Sequence, residues 1–150
     1  MVVLGKGLGG GVFPMAALIA RGGLDVAAER ALGHYTHEKS SVGCAAALAA
    51  LDVIEQDKLL LRSKTLGERA LARLRKMKHR SIVDVRGIGL LLAVELSEPA
   101  IAEAALYRCL ERGLSFKVGQ GNVLVLAPPL VISETDLDRA LDIVQESLGA

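Results

Sequence analysis

The sequence has no tryptophan, and aromatic residues make up only 3% of its 150 residues. Apolar residues still reach 51%, so the core must be built from aliphatic side chains, as in a globular domain. Lysine and arginine are scattered along the chain, and the formal net charge is only +1. Nucleic-acid binding needs a basic face that supplies phosphate contacts. We therefore expect no nucleic-acid partner.

Cysteine is also scarce. The two present, Cys44 and Cys109, fall in apolar helical patterns, which favours reduced thiols over a disulfide. The sequence lacks an apolar run long enough to cross a bilayer, and Gly5, Lys6 and Gly7 interrupt the layout of a signal peptide. These absences predict a cytoplasmic protein with no membrane partner.

Helical and strand patterns alternate along the chain, which indicates an α/β or α+β fold. The opening "VVLG" is typical of the middle of a buried strand, so we expect a chain truncated from a larger protein. The predicted strands are one ending near Leu4, Phe13–Ala20, a hairpin within residues 81–96, Leu114–Lys117 and Val123–Leu126. The predicted helices are Leu24–Leu32, Val42–Ile54, Lys58–Lys78 with Asp57 as N-cap, Pro99–Arg112, and a last helix opened by the capping box "SETD".

The stretch "VVLGKGLGGG" places one lysine, Lys6, between glycines. A phosphate-binding loop needs Ser or Thr directly after its lysine, but here Gly7 follows. The letters "GKGLGG" match a dinucleotide fingerprint, yet no helix follows, and Asp25 and Glu29 are not at a strand end. A Schiff-base lysine needs a partly desolvated amine and glycines that let a cofactor approach. From the residues alone, that interpretation and a solvated turn lysine both stay open.

The segment "LGKGLGGGVFPMAALIAR" resembles the lysine segment of class III pyridoxal-phosphate aminotransferases, the group of ornithine and 4-aminobutyrate aminotransferases. The resemblance continues, in order, through "GHYTHEKSSVGCAAALAAL", "VRGIGLLLAVEL" and "NVLVLAPPLVISETDLDRAL". It implies the C-terminal portion of a fold type I transferase. Residues 1–61 would end the large cofactor-binding domain, residues 62–80 would form a linking helix, and residues 81–150 would form a small α+β domain.

The resemblance also implies the chemistry. Lys6 would form the Schiff base with pyridoxal 5'-phosphate (PLP) and act as acid and base, and Thr36 would bind the cofactor phosphate of a neighbouring subunit. The reaction would transfer an amino group from an amine or amino acid to a keto acid, although racemases and lyases share this site architecture. A homodimer or higher oligomer is expected, with residues 7–12 and 34–41 near its interface. No metal is expected, because His34 and His37 lack a second ligand pair.

Several departures from the family pattern bear on substrate and activity. Val125 stands where many members carry an arginine that clamps the substrate carboxylate, so either the carboxylate is held elsewhere or the substrate is not an ordinary α-amino acid. Residues 37–41 replace the usual glycines, asparagine and proline after Thr36. The family's phosphate loop, stacking aromatic and pyridine-pairing aspartate would precede Lys6. We therefore expect this chain alone to be inactive, a fragment or remnant that keeps the fold. Arg86 either stabilises a turn or binds a carboxylate.

Overall fold

The computed structural model describes residues 1–27, 29–30 and 40–149. They form two compact units, Met1–Lys58 and Leu59–Ala150. No helix within these described residues combines the length and apolar character needed to cross a membrane.

The first unit contains a two-stranded antiparallel sheet and one long helix. Strand β1 (Val2–Leu4) pairs with β2 (Ala17–Ile19), and helix α1 spans Ser41–Gln56. Both strands and the alanine-rich helix were predicted and are confirmed. The prediction that the first strand is buried is wrong for this chain: all three side chains of β1 are exposed. The reason is that β1 and β2 pair only with each other in the described part of the chain.

Two further predictions for the first unit need correction. Residues 25–27 and 29–30 are not helical; a short 3₁₀ turn at Gly22–Leu24 precedes them, because the glycine pair favours a turn over a helix. The rest of the predicted helix Leu24–Leu32 lies outside the described residues. Asp57 is the C-cap of α1, and its N–H donates to the carbonyl of Val53 at 3.0 Å. It is therefore not the N-cap of the following helix.

The second unit has the element order α-β-β-α-β-β-α. Its elements are α2 (Leu59–Lys76), β3 (Ile82–Ile88), β4 (Leu91–Leu96), α3 (Pro99–Glu111), β5 (Lys117–Gly119), β6 (Val123–Leu126) and α4 (Glu134–Gly149). The strands form one antiparallel sheet in the order β3-β4-β6-β5. The hairpin, α3, β6 and α4 lie where the sequence predicted them. The predicted strand Leu114–Lys117 is wrong by three residues, because pairing with β6 fixes β5 at Lys117–Gly119.

An aliphatic core joins the three helices to one face of this sheet. The predicted apolar stripe of α2 is buried at Leu59, Leu66, Ala70 and Leu74, as a helical period requires. Strand β4 contributes Leu92, Val94 and Leu96, each at most 1% exposed, and the intervening side chains turn to the opposite face. The capping box also forms: the Asp136 N–H donates to Ser133 Oγ at 3.0 Å and starts α4.

Candidate functional site

Lys6 lies directly after β1, at the first residue of a 3₁₀ turn that spans Lys6–Gly9. Its backbone has φ +51°, in the left-handed region that residues other than glycine rarely adopt. Such a conformation costs a non-glycine residue roughly 1–3 kcal/mol and is found most often at functional sites. Lys6 is exposed in the described chain.

The glycines around Lys6 differ in how much free space lies beside their Cα atoms. A Cβ on Gly7 or Gly11 would have no atom within 4 Å, so the backbone beside Lys6 borders open space. Gly10 has φ +67°, and a Cβ there would lie 3.5 Å from the Cβ of Ala50. The turn therefore packs against α1 on one side and is open on the other.

Helix α1 approaches the glycine-rich loop closely near its first turn. A Cβ on Gly43 would lie 2.9 Å from Cε1 of Phe13, and the Gly43 N–H reaches the N-cap Ser40 Oγ at 3.4 Å. The small residue lets the ring of Phe13 pack on the helix backbone. Gly9 and Gly43 are both buried there. This contact anchors the loop that carries Lys6.

The residues present fit a pyridine aldehyde cofactor. Lys6 offers a primary amine, which condenses with aldehydes, and the open space beside Gly7 and Gly11 admits a bulky ring next to it. Lys6 is exposed in the described chain, whereas a Schiff-base lysine is typically partly desolvated.

Several residues singled out in the sequence lie outside the described residues. Thr36, the predicted phosphate ligand, is one of them, as are His34 and His37. Within the described residues, no group of three or more metal-ligating side chains comes together. The predicted placement of Thr36 near a cofactor held by Lys6 therefore stays a prediction.

Arg86 lies on β3 and binds two carboxylates. Its Nη1 donates to Asp84 Oδ2 at 2.7 Å and to Glu95 Oε2 at 2.6 Å. The hydrogen bond from Arg86 lowers the pKa of the Asp84 carboxyl below its usual value, and both carboxylates raise the pKa of the guanidinium. The sequence left open a turn-stabilising role or a functional carboxylate contact for Arg86, and it indicated neither of these partners within the chain. The i, i+2 spacing of Asp84 and Arg86 on one strand was an available signal; Glu95 needed the hairpin register.

Val125 lies on β6 and is half-buried. Beside it, between β6, the segment that precedes β5 and helix α4, is a cavity of about 490 Å³. Its lining is mostly apolar and includes Leu114, Phe116, Leu137 and Leu141. The aliphatic side chain of residue 125 itself cannot pair with a carboxylate, while Lys117, the residue opposite it on β5, also lines the cavity.

Both cysteines are free thiols, as predicted. Cys109 is fully buried in α3, and burial raises the pKa of its thiol, which makes it unreactive. Cys44 is partly exposed in the first turn of α1.

The chain matches the class-III aminotransferase family over residues 1–148. It is 48% identical to the (R)-1-hydroxy-2-aminoethylphosphonate ammonia-lyase of Vibrio splendidus (strain 12B01), over 99% of this chain and 33% of that protein. It is 38% identical to the ornithine aminotransferase of Bacillus cereus (strain Q1), over 99% of this chain and 37% of that protein. The chain thus spans about a third of the length of these relatives.

Solved structures give the same picture. The ornithine aminotransferase from Toxoplasma gondii, crystallised with oxidised glutathione and with PLP partly occupying its active site, matches with a TM-score of 0.91 at 31% identity. That match covers 97% of this chain and 35% of the other. The acetylornithine aminotransferase from Elizabethkingia anophelis matches with a TM-score of 0.83 at 33% identity, over 97% of this chain and 38% of the other.

Proposed function

The chain belongs to the class III aminotransferase family, and from this premise we propose that it carries the cofactor-binding lysine of a PLP-dependent aminotransferase. The predicted fold class is confirmed, because the structures it matches are aminotransferases of fold type I. The match covers only about a third of those chains, so the activity, the substrates and the partners of the whole enzyme are part of the proposal.

The observation that carries the proposal is the setting of Lys6. A lysine in a left-handed turn at the end of a strand, beside glycines that border open space, is a costly arrangement, and we infer a chemical use from it. When bound, PLP supplies an electron sink for carbanion chemistry. Lys6 would hold it covalently through Nζ and, once released, would move a proton to or from the substrate with the same Nζ.

We propose amino-group transfer from an amine or amino acid to a keto acid. The ornithine aminotransferases among the relatives, 38% identical over 99% of this chain, support it. The aliphatic Val125 favours amine donors that do not depend on a carboxylate clamp from this strand.

A second candidate is elimination of ammonia. The 48% identical relative is an ammonia-lyase that acts on an aminophosphonate. Such a substrate carries no carboxylate, which agrees with the aliphatic residue at position 125. Racemisation has no comparable support from the relatives.

We also propose a homodimer or higher oligomer, with Thr36 of one subunit binding the cofactor phosphate of the other. The first unit supports this, because its apolar side chains are largely exposed, including Val3 at 72%, Val12 at 87% and Leu48 at 63%. Exposed apolar surface of this kind marks an interaction site. A second subunit bound to this surface would also shield Lys6 from water. We keep the predicted domains (1–61, 62–80 and 81–150) and the cytoplasmic location, which the free thiols support, as proposals.

Covalent trapping tests the role of Lys6. The purified chain would be mixed with PLP, reduced with borohydride and digested, and the modified lysine identified by mass spectrometry. We expect preferential labelling of Lys6 that is lost in Lys6→Arg and retained in the matched control Lys64→Arg, which changes an exposed lysine of α2. Equal labelling of the chain's lysines would refute the assignment of Lys6.

Product analysis distinguishes the two reactions in a longer polypeptide that contains this segment. With an amine donor and 2-oxoglutarate or pyruvate, amino transfer consumes the keto acid and forms an amino acid. Ammonia release that needs no keto acid would instead establish the lyase. The chain alone should show neither reaction, because the orienting groups expected upstream are required for catalysis.

A further inference from the structure

Basic residues are concentrated at the end of α2 and in the segment that leads to β3. Residues 73–80 read "RLRKMKHR", with five Lys or Arg, one His and no acidic residue. Two of these side chains already have partners, because Arg73 pairs with carboxylates of α4 and Arg75 donates to a carbonyl of β3. Lys76 and Lys78 are exposed and pair with no carboxylate within the described residues. Their ammonium groups are therefore available to a ligand.

A cavity of about 390 Å³ lies between this segment and the end of α4. Lys76, Lys78, His79 and Gln145 line it together, and its apolar lining includes the buried Leu148. No acidic side chain of the described residues lines this basic cavity. Its volume lies in the range of small-molecule sites. The cavity thus places two lysines, a histidine and a glutamine around one space that a single small ligand can fill.

His79 is held by the chain in a way that leaves one donor free. The Ser81 N–H donates to His79 Nδ1 at 3.3 Å, so the neutral ring carries its proton on Nε2. Within the part of the chain that the structure describes, this Nε2 has no hydrogen-bond partner, and His79 lines the basic cavity. The bond to Ser81 also restricts the ring, which reduces the ordering that binding requires. His79 therefore offers a positioned donor to an anion in the cavity.

The positive charge at the basic cavity exceeds what the neighbouring helix ends need. Lysines near a helix C-terminus compensate for its partial negative charge, which is about half an elementary charge. The ends of α2 and α4, at Lys76 and Gly149, both adjoin the cavity, so together they account for about one positive charge. Lys76 and Lys78 supply two positive charges. A net positive charge therefore remains for an anionic ligand.

We propose that the basic cavity binds a diphosphate group, as free pyrophosphate or as part of a nucleoside diphosphate. Lysine binds phosphate oxygens as a compact point charge, whereas a planar carboxylate is best held by a bidentate arginine. No arginine of the described residues lines the cavity, and two separate lysines suit two linked phosphoryl groups. The site goes beyond the proposed function. All its residues belong to the second unit, so it does not depend on where Lys6 lies.

Titration of the purified chain, followed by NMR of assigned backbone amides, tests the proposal without PLP. The probes are pyrophosphate, ADP, citrate and adenosine at constant ionic strength, in the absence of divalent metal ions. We expect saturable shifts at His79, Ser81 and Gln145 with pyrophosphate and ADP, a Kd at least about fivefold weaker for citrate, and no saturation with adenosine. Tighter binding of ADP would assign the site to a nucleoside diphosphate, and tighter binding of pyrophosphate to the free ion. Citrate binding as tight as that of both diphosphates would overturn the proposal.

Charge-removing variants separate a built site from general attraction to a basic segment. Lys76→Gln and Lys78→Gln should each weaken pyrophosphate binding by about fivefold. The matched control Arg80→Gln removes the same charge from an exposed residue of the same segment that does not line the cavity, and it should weaken binding less than about twofold. Equal weakening in all three variants would overturn the site. So would unchanged binding in both lysine variants, each of which alters an exposed side chain.

Discussion

Gly67 of α2 lies so close to Gly89 of the β3–β4 turn that a Cβ on Gly67 would be 2.0 Å from the Gly89 carbonyl oxygen. Gly89 has φ +52°, and the Leu90 N–H that follows donates to Ser63 Oγ of the same helix at 3.2 Å. The helix and the hairpin turn thus meet backbone to backbone. The contact exists because neither residue has a side chain.

Gly67→Ala should therefore destabilise the second unit by about 3 kcal/mol, because the obstructing atoms are backbone and cannot rotate away. Urea unfolding followed by circular dichroism measures the change. The control is Gly149→Ala, where a Cβ would meet nothing within 4 Å, and there we expect a change below about 1 kcal/mol. Equal stability of the two variants would show that the helix and turn do not meet as described.

Lys6 and Lys58 share the same left-handed backbone, each with φ +51°. Glycine adopts this conformation without the steric cost borne by lysine, although it loses more entropy on folding. Both Lys6→Gly and Lys58→Gly should thus stabilise the chain by roughly 0.5–1 kcal/mol. Only Lys6→Gly should abolish PLP trapping. A loss of stability in Lys6→Gly would show that its side chain, rather than chemistry, explains the strained position.

The Arg86–Asp84 pair predicts that the free energy of unfolding depends on pH. Arg86 lowers the pKa of Asp84 from its ordinary value of 3.8, so the unfolded chain binds the proton more tightly than the folded one. The pair's contribution to stability is present above the unfolded pKa and is lost as pH falls through the lower folded pKa. Carboxyl NMR titration should show the Asp84 pKa rising in Arg86→Gln. An unchanged pKa in that variant would exclude Arg86 as the cause.

Ser147 is fully buried in α4, and within the described residues its hydroxyl meets no satisfactory hydrogen-bond partner, with only the weakly bonding thiol of Cys109 beside it. A buried hydroxyl with no better partner than a thiol keeps most of its desolvation cost. Ser147→Ala should therefore stabilise the chain by about 1 kcal/mol in urea unfolding. The exposed Ser97→Ala should change nothing measurable. Destabilisation by Ser147→Ala would indicate a partner for this hydroxyl.

The sequence predicted those features that depend on residues a few positions apart. The stripe of Leu66, Ala70 and Leu74 indicated a helix because its period matches one helical face. Ser133 and Asp136 marked the start of α4 because a capping box closes within four residues. Lys6 stood out as the candidate site because of its glycine neighbours. These are local patterns. The structure confirms the two helices, and the role of Lys6 stays a prediction.

Tertiary structure alone decided what depends on distant residues. The exposure of β1 follows from which strands pair, and the bounds of β5 follow from its register with β6. The approach of Gly67 to Gly89 joins residues of separate elements, and the contact of Arg86 with Glu95 requires the register of β3 with β4. A sequence pattern carries its own periodicity but not the register in which two segments meet. That register is set by the packing of the whole sheet against its helices.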